Sequence, residues 1–136
     1  PFRRDRFVLV VAHGHPLAVR SAVSLAQVLD HDFVGLDRAS ALQRFLADKA
    51  ARIGRPLRLR IQLRSFDAVC RMVERNVGIG IVPETTARRA ALSMAVTSVS
   101  LTDSWAERDL TICVRSFEEL PAFARELVTH LRAQEE

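Results

Sequence analysis

Tyrosine is absent from this 136-residue chain, tryptophan occurs once (Trp105), and Lys49 is the one lysine among 20 basic residues. Glycine and proline number five each, and cysteine is limited to Cys70 and Cys113. Each scarcity excludes something. So little glycine and proline rules out collagen and low-complexity sequence. Two cysteines are too few for the disulfide framework of a small secreted scaffold, and both sit among apolar neighbours, so buried free thiols in a reducing cytoplasm are expected. No Cys/His spacing reads as a zinc site. No run approaches the roughly 20 apolar residues of a membrane helix. No signal peptide is expected either, because residues 1–6 are charged and the apolar stretch after them is too short. The chain starts with Pro1, not Met, and reads as a processed product or a piece of something longer.

What is there is ordinary globular material. Apolar residues make up 49% and charged residues 26%, enough for one domain with a real core and too little length for two. The net charge of +4 comes with arginine in place of lysine. Acidic residues such as Asp30, Asp32, Asp37, Asp48 and Glu74 interrupt the basic ones, so no nucleic-acid arm is built.

The run Phe7–Ala12 is continuous and apolar, as in a strand buried on both faces. Ser24 to Gln27 and Ser40 to Gln43 both have capping-box spacing, hydroxyl at N-cap and Gln at N3. The first opens a short helix over 25–29. The second opens an amphipathic helix over 41–53, ended by Gly54 and Pro56. Strands are expected at 32–36, 57–64, 79–82, 96–101 and 109–114. Residues 57–64 alternate apolar and polar at every step. Ser65 caps a helix whose buried stripe is Phe66, Val69, Cys70 and Val73, and Asn76 suits its left-handed end. Further helices are expected at 84–92 and 118–133, the latter with the stripe Leu120, Phe123, Leu127, Val128 and Leu131. The order β-α-β-α-β-α-β-α-β-β-α means an α/β fold with a mostly parallel sheet flanked by helices.

Ligands of such sheets sit beyond the carboxyl ends of the strands, where helix N-termini converge. That singles out the junctions at Leu36 to Ser40, Arg64 to Phe66, and Val82 to Glu84. Ser40 and Ser65 either simply cap their helices or face an anion with their hydroxyls. His13 and His15 would share a strand side but have no third ligand near in sequence, so no metal is assigned. Arg58, Arg60 and Arg64 share a strand face without interleaved aromatics, which reads as a solvated face and not a base-stacking platform. There is no Gly-x-Ser-x-Gly elbow, P-loop or Gly-x-Gly-x-x-Gly, so no enzyme is expected and no cofactor is assigned.

Several segments, in order, resemble the effector-binding domain of LysR-type transcriptional regulators. They are Phe7-Val8-Leu9-Val10-Val11-Ala12 with His15-Pro16-Leu17-Ala18, then Asp32-Phe33-Val34-Gly35-Leu36, then Ser65-Phe66-Asp67-Ala68-Val69. Val77-Gly78-Ile79-Gly80-Ile81-Val82-Pro83-Glu84 follows, and Arg108-Asp109-Leu110-Thr111-Ile112-Cys113-Val114 closes the series. Two departures are Asn76 for a usual Gly, and Gly80 for a usual Ala, the latter expected to leave room near a cleft.

The resemblance implies a periplasmic-binding-protein type II-like fold of two lobes. Residues 15–100 would form one complete lobe, and 1–14 and 101–136 the crossing strands with the returning strand and helix of an incomplete second lobe. It further implies a small, carboxylate-bearing effector between the lobes, a homo-oligomer (dimer or tetramer), DNA contact only through a separate N-terminal helix-turn-helix absent from this sequence, cytoplasmic location and no membrane. Asp37, Ser40, Ser65, Phe66 and Pro83 are the effector-binding candidates. A solute-binding protein of a transport system and a small α/β enzyme are the alternatives.

Overall fold

The computed structural model describes residues 3–110. Its strands are β1 (Arg3–Ala12), β2 (Ala22–Val23), β3 (Phe33–Leu36), β4 (Leu59–Leu63), β5 (Gly80–Pro83), β6 (Val96–Leu101) and β7 (Glu107–Leu110). Its helices are α1 (Leu25–Val28), α2 (Ala41–Ile53), α3 (Phe66–Glu74) and α4 (Glu84–Ala91), with short 3-10 turns at Pro16–Val19 and Ser104–Ala106. The expected helix over 118–133 with its stripe, Cys113, and most of the expected strand over 109–114 lie outside the described residues.

β1 is the organising strand. It pairs antiparallel with β5 and with β6 on either side, Leu9 standing opposite Ile81 and Val99. β2 runs parallel to β6, and β3 parallel to β4. A parallel bridge from Phe33 to Ile79, with Val34 N–H donating to Ile79 O at 2.8 Å, lays β3 beside β5. Across the sheet the order is therefore β4-β3-β5-β1-β6-β2. All of these strands point one way except β1, which bears out the mostly parallel sheet. An apolar run reports burial on two faces, not strand direction, so the reversal of β1 was invisible in its sequence. The first four residues of β1 extend beyond this sheet and pair with β7, Arg6 opposite Glu107.

Two cores result, one per face. Phe7, Leu9 and Val11 join Phe33, Ile79 and Ile81 beneath α1 and α2. Val8 and Val10 join Val34, Val82 and Val96 beneath α3 and α4. Leu9, Val10 and Val11 are wholly buried, and each such side chain contributes about 1.5–3 kcal/mol.

Local signals explain the helix ends. The capping box at Ser24 and Gln27 is complete. Gly54 takes φ 92° and Asn76 φ 59°, the left-handed turns expected after α2 and α3. The second capping box is only half formed. Ser40 Oγ accepts from Gln43 N–H, but Gln43 Oε1 turns inward and accepts from Leu36 N–H at 3.1 Å. Gln43 is 4% exposed, so the box gives way to a strand-to-helix link. The room expected at Gly80 is also absent. A Cβ there would lie 2.9 Å from Val69 Cγ1, because α3 packs directly on this strand.

Candidate functional site

The chain brings its helix starts to one edge of the sheet. Leu36 and Leu63 are register partners, and Asp37 N–H donates to Leu63 O at 3.1 Å, so β3 and β4 end level. Counting on from the Phe33–Ile79 bridge sets Asp37 level with Pro83. Val23 pairs with Leu101, and Ser24 opens α1 directly after it. The N-termini of α1, α2, α3 and α4 thus share the carboxyl edge, where unpaired N–H groups and helix dipoles favour negative charge.

All five candidate residues stand on this edge. Ser65 Oγ accepts from Ala68 N–H at 3.1 Å and Ser40 Oγ from Gln43 N–H at 3.4 Å. Each hydroxyl keeps its own proton to donate outward. Asp37 is exposed; its carboxylate accepts from Ala39 N–H at 2.7 Å, and its carbonyl accepts from Ser40 N–H at 2.9 Å. Its backbone is therefore committed to the turn, which leaves the outer carboxylate oxygen facing water. Phe66 is half-buried and packs on the core beneath α3. Pro83 ends β5 opposite Phe7 and precedes α4 without a side-chain cap.

The sequence reading missed Arg6, which lies where β1 enters the edge. Its guanidinium donates from Nε to Glu84 Oε2 at 2.8 Å, with Nη2 at 2.6 Å from the same oxygen. Arg88 adds a contact to Glu84 Oε1 at 3.2 Å. The hydrogen bond from Arg6 holds the Glu84 carboxyl below its usual range, and the same bond raises the Arg6 guanidinium. A cavity of about 390 Å³, lined by Asp5, Arg6, Glu84, Thr85, Arg88 and Glu107, opens here. Asp103 was also missed: its Oδ1 accepts from Leu25 N–H at 2.8 Å and so caps α1 from across the chain. Both partnerships span 78 residues, and no local spacing signals them.

Other groups are spoken for. His13 Nε2 lies 3.0 Å from Val96 O, and His15 Nδ1 accepts from Leu17 N–H at 3.0 Å, so the two imidazoles serve different partners. Burial, and then the neighbouring His31, lower the His15 pKa. Arg58 reaches Asp30 O and Asp32, and Arg60 reaches Val77 O. Burial pushes the Cys70 thiol up to about 11, so it is no nucleophile at neutral pH. Among the described residues no three His, Cys, Asp or Glu side chains are grouped to hold a metal ion, and no helix is long and apolar enough to cross a membrane. What the edge offers an anion is the hydroxyl and N–H donors of the helix starts, set beside the carboxylates of Asp37, Glu84 and Asp103.

Comparison with known proteins places this geometry. The family model of the LysR substrate binding domain matches residues 1–136. An uncharacterized HTH-type transcriptional regulator of Methanocaldococcus jannaschii is 32% identical over 91 residues, which are 64% of this chain and 30% of that protein. The regulatory domain of CcmR from Synechocystis PCC6803, solved with 2-PG, superposes with a TM-score of 0.79 at 18% identity, covering 100% of this chain and 65% of that one. The effector-binding domain of QuiR, solved with shikimate, gives 0.70 at 20% identity, covering 98% and 62%. That of a BenM variant gives 0.72 at 22% identity, covering 98% and 64%. The chain thus spans under a third of the curated relative and under two-thirds of each of these solved domains.

Proposed function

Because this chain belongs to the LysR substrate binding domain family, we propose that it is the effector-sensing part of a transcriptional regulator and acts by binding, not by catalysis. The observation that supports this most is the shared carboxyl edge, where four helix N-termini converge and, among the described residues, no activated nucleophile stands. A small metabolite carrying a carboxylate would sit against that edge. Ser40 and Ser65 would donate their hydroxyl protons to it, Phe66 would supply an apolar wall, and Asp37 and Pro83 would form the rim. The structures of similar fold solved with shikimate and with 2-PG are consistent with a small-molecule ligand.

In this reading residues 15–100 form one lobe around the central strand that residues 7–12 of β1 supply. β1 and β7 are the strands that cross to a second lobe, which closes the site from the other side. Closure favours one arrangement of a cytoplasmic homo-oligomer, dimer or tetramer. That bias passes to DNA-binding domains attached N-terminally, because a ligand that prefers one arrangement shifts the population toward it.

The test is a thermal-shift screen of metabolite acids on the full-length regulator. A true effector at a hundred times its Kd stabilises the folded form by about 2.7 kcal/mol. Ser40→Ala and Ser65→Ala each remove a hydrogen bond to a charged group worth about 1.5–3 kcal/mol, so affinity should fall about tenfold or more. Titrations unchanged in both variants would remove these serines as ligands.

A further inference from the structure

A second feature lies at the opposite end of the sheet. β1 runs against its neighbours, so it leaves the sheet at Ala12, level with Val96, the first residue of β6. The chain then passes through His13-Gly14-His15 into the 3-10 turn Pro16–Val19. The carboxyl edge with Ser40 and Ser65 is at the other end.

The two histidines bond in opposite senses. His13 Nε2 lies 3.0 Å from Val96 O. A carbonyl only accepts, so this nitrogen carries a proton and donates. His15 Nδ1 accepts from Leu17 N–H at 3.0 Å, so this nitrogen carries none. Proton uptake by each neutral imidazole therefore has opposite consequences. On His13 it falls on Nδ1 and leaves the bond to Val96 intact. On His15 it must also fall on Nδ1, because Nε2 already holds a proton, and there Nδ1 is the acceptor. The acceptor becomes a donor facing another donor, and the cap of the turn is lost.

The turn depends on that cap. Pro16 has no N–H, so Leu17 N–H is its first donor. Otherwise the turn is held by Ala18 N–H to His15 O at 2.9 Å and Arg20 N–H to Leu17 O at 3.0 Å. Leu17 and Ala18 pack against the core beneath α1 and α2, while Val19 is exposed. The elements against the turn are β1 and β6. Neither β6 nor residues 7–12 of β1 carry a titratable side chain, and α1 has none either. From the loop after α1, His31 sets its ring 5.3 Å from that of His15, centroid to centroid. Its neighbours Asp30 and Asp32 are engaged by Arg55 and Arg58, and Arg20 follows the turn.

We propose that His15 is a proton-operated latch: its bare Nδ1 holds the turn Pro16–Val19 shut, and proton uptake there releases it. In the released form Leu17 leaves the core and joins Val19 at the surface. Burial, and then His31, make the folded His15 charge less readily than an ordinary imidazole. The stability it gives is therefore complete above the ordinary imidazole value and is lost as pH falls below it.

The test is hydrogen exchange of the full-length regulator, read by mass spectrometry at about pH 7.5 and about pH 5, with the intrinsic chemical rate at each pH divided out. Residues 13–20 are expected to exchange at least about tenfold faster in acid, while β1 and β6 keep their protection. His15→Asn, whose side-chain oxygen caps without titrating, should keep the segment protected at both pH values. His15→Ala, which has no acceptor, should leave it unprotected at both. His13→Gln should keep the acid response of the parent. Five results overturn the proposal: equal protection of the segment at both pH values in the parent, an acid response in His15→Asn equal to the parent's, a protected segment in His15→Ala, loss of the response in His13→Gln, or loss of protection in all segments together, which would be unfolding of the whole chain.

Discussion

Replacing Gly80 by alanine adds one methyl group at a place where two helical valines already touch the strand. The new Cβ would stand 2.9 Å from Val69 Cγ1, 3.3 Å from Val73 Cγ2 and 3.4 Å from Val34 O. Carbon atoms rest at about 3.5–4.0 Å, so Val69 must retreat by more than half an ångström, as must the backbone that carries it. It cannot do so by rotation, because a β-branched side chain on a helix has one strongly preferred χ1. Nor is there slack, since Val69 is 1% exposed and Val73 0%. Overpacking of this kind costs about 1–3 kcal/mol, and about 4 °C of melting temperature goes with each kcal/mol at this chain length. Val69→Ala alone removes two methyl-sized groups, about 1.6 kcal/mol of transfer energy, plus a cavity. Combined, the two changes fit each other, so the double variant should be less destabilised than the sum of the single ones by about 1–2 kcal/mol. Chemical denaturation followed by circular dichroism measures all the corners of this cycle. Gly14→Ala is the control: nothing lies within 4 Å of its Cβ position, so its effect should stay within about 0.5 kcal/mol. A Gly80→Ala variant as stable as the parent, or strict additivity with Val69→Ala, would refute the packing argument.

The pair of Arg6 and Glu84 should give a pH-dependent contribution. Arg6 holds the folded Glu84 carboxyl below its unfolded value, so the stabilisation is present above the ordinary carboxylate range and is lost as pH falls through the lowered folded value. The side chains are 43% and 21% exposed, so it amounts to no more than about 1 kcal/mol. Glu84→Gln should therefore be less stable than the parent at pH 7 and equal to it in strong acid; a gap that persists in acid would contradict the assignment. Cys70, with its thiol pushed up to about 11, should carry only about 0.1% thiolate at pH 8. In a Cys113→Ser background it should react with a disulfide reagent only as fast as the chain unfolds, and rapid labelling of the folded protein would show that it is accessible.

Much of this architecture could be read residue by residue. The period of α2, the alternation along β4 and the left-handed positions Gly54 and Asn76 are local properties, and local properties survive folding when the tertiary context agrees with them. The three serine caps were legible for the same reason. Three features were not. The direction of β1 depends on its partners, and its apolar run reports only that both faces are covered. Gln43 occupies the N3 position of a capping box, but Leu36 N–H, brought within reach by the sheet, competes for its oxygen and wins. Arg6 reads as the polar end of a strand; its role depends on Glu84, 78 residues away. The carboxyl edge was thus foreseeable as a place, because helix starts mark it, while the ion pair at its centre came from pairing that no spacing encodes.

The most direct test of the effector-sensing reading is the operator affinity of the full-length regulator, measured with and without a metabolite acid that raises its melting temperature. The account predicts that the acid changes operator affinity in the parent, and that the change is lost or strongly reduced in Ser65→Ala at the same concentration. An acid that stabilises the protein yet leaves operator binding untouched, or a response identical in Ser65→Ala, would contradict it.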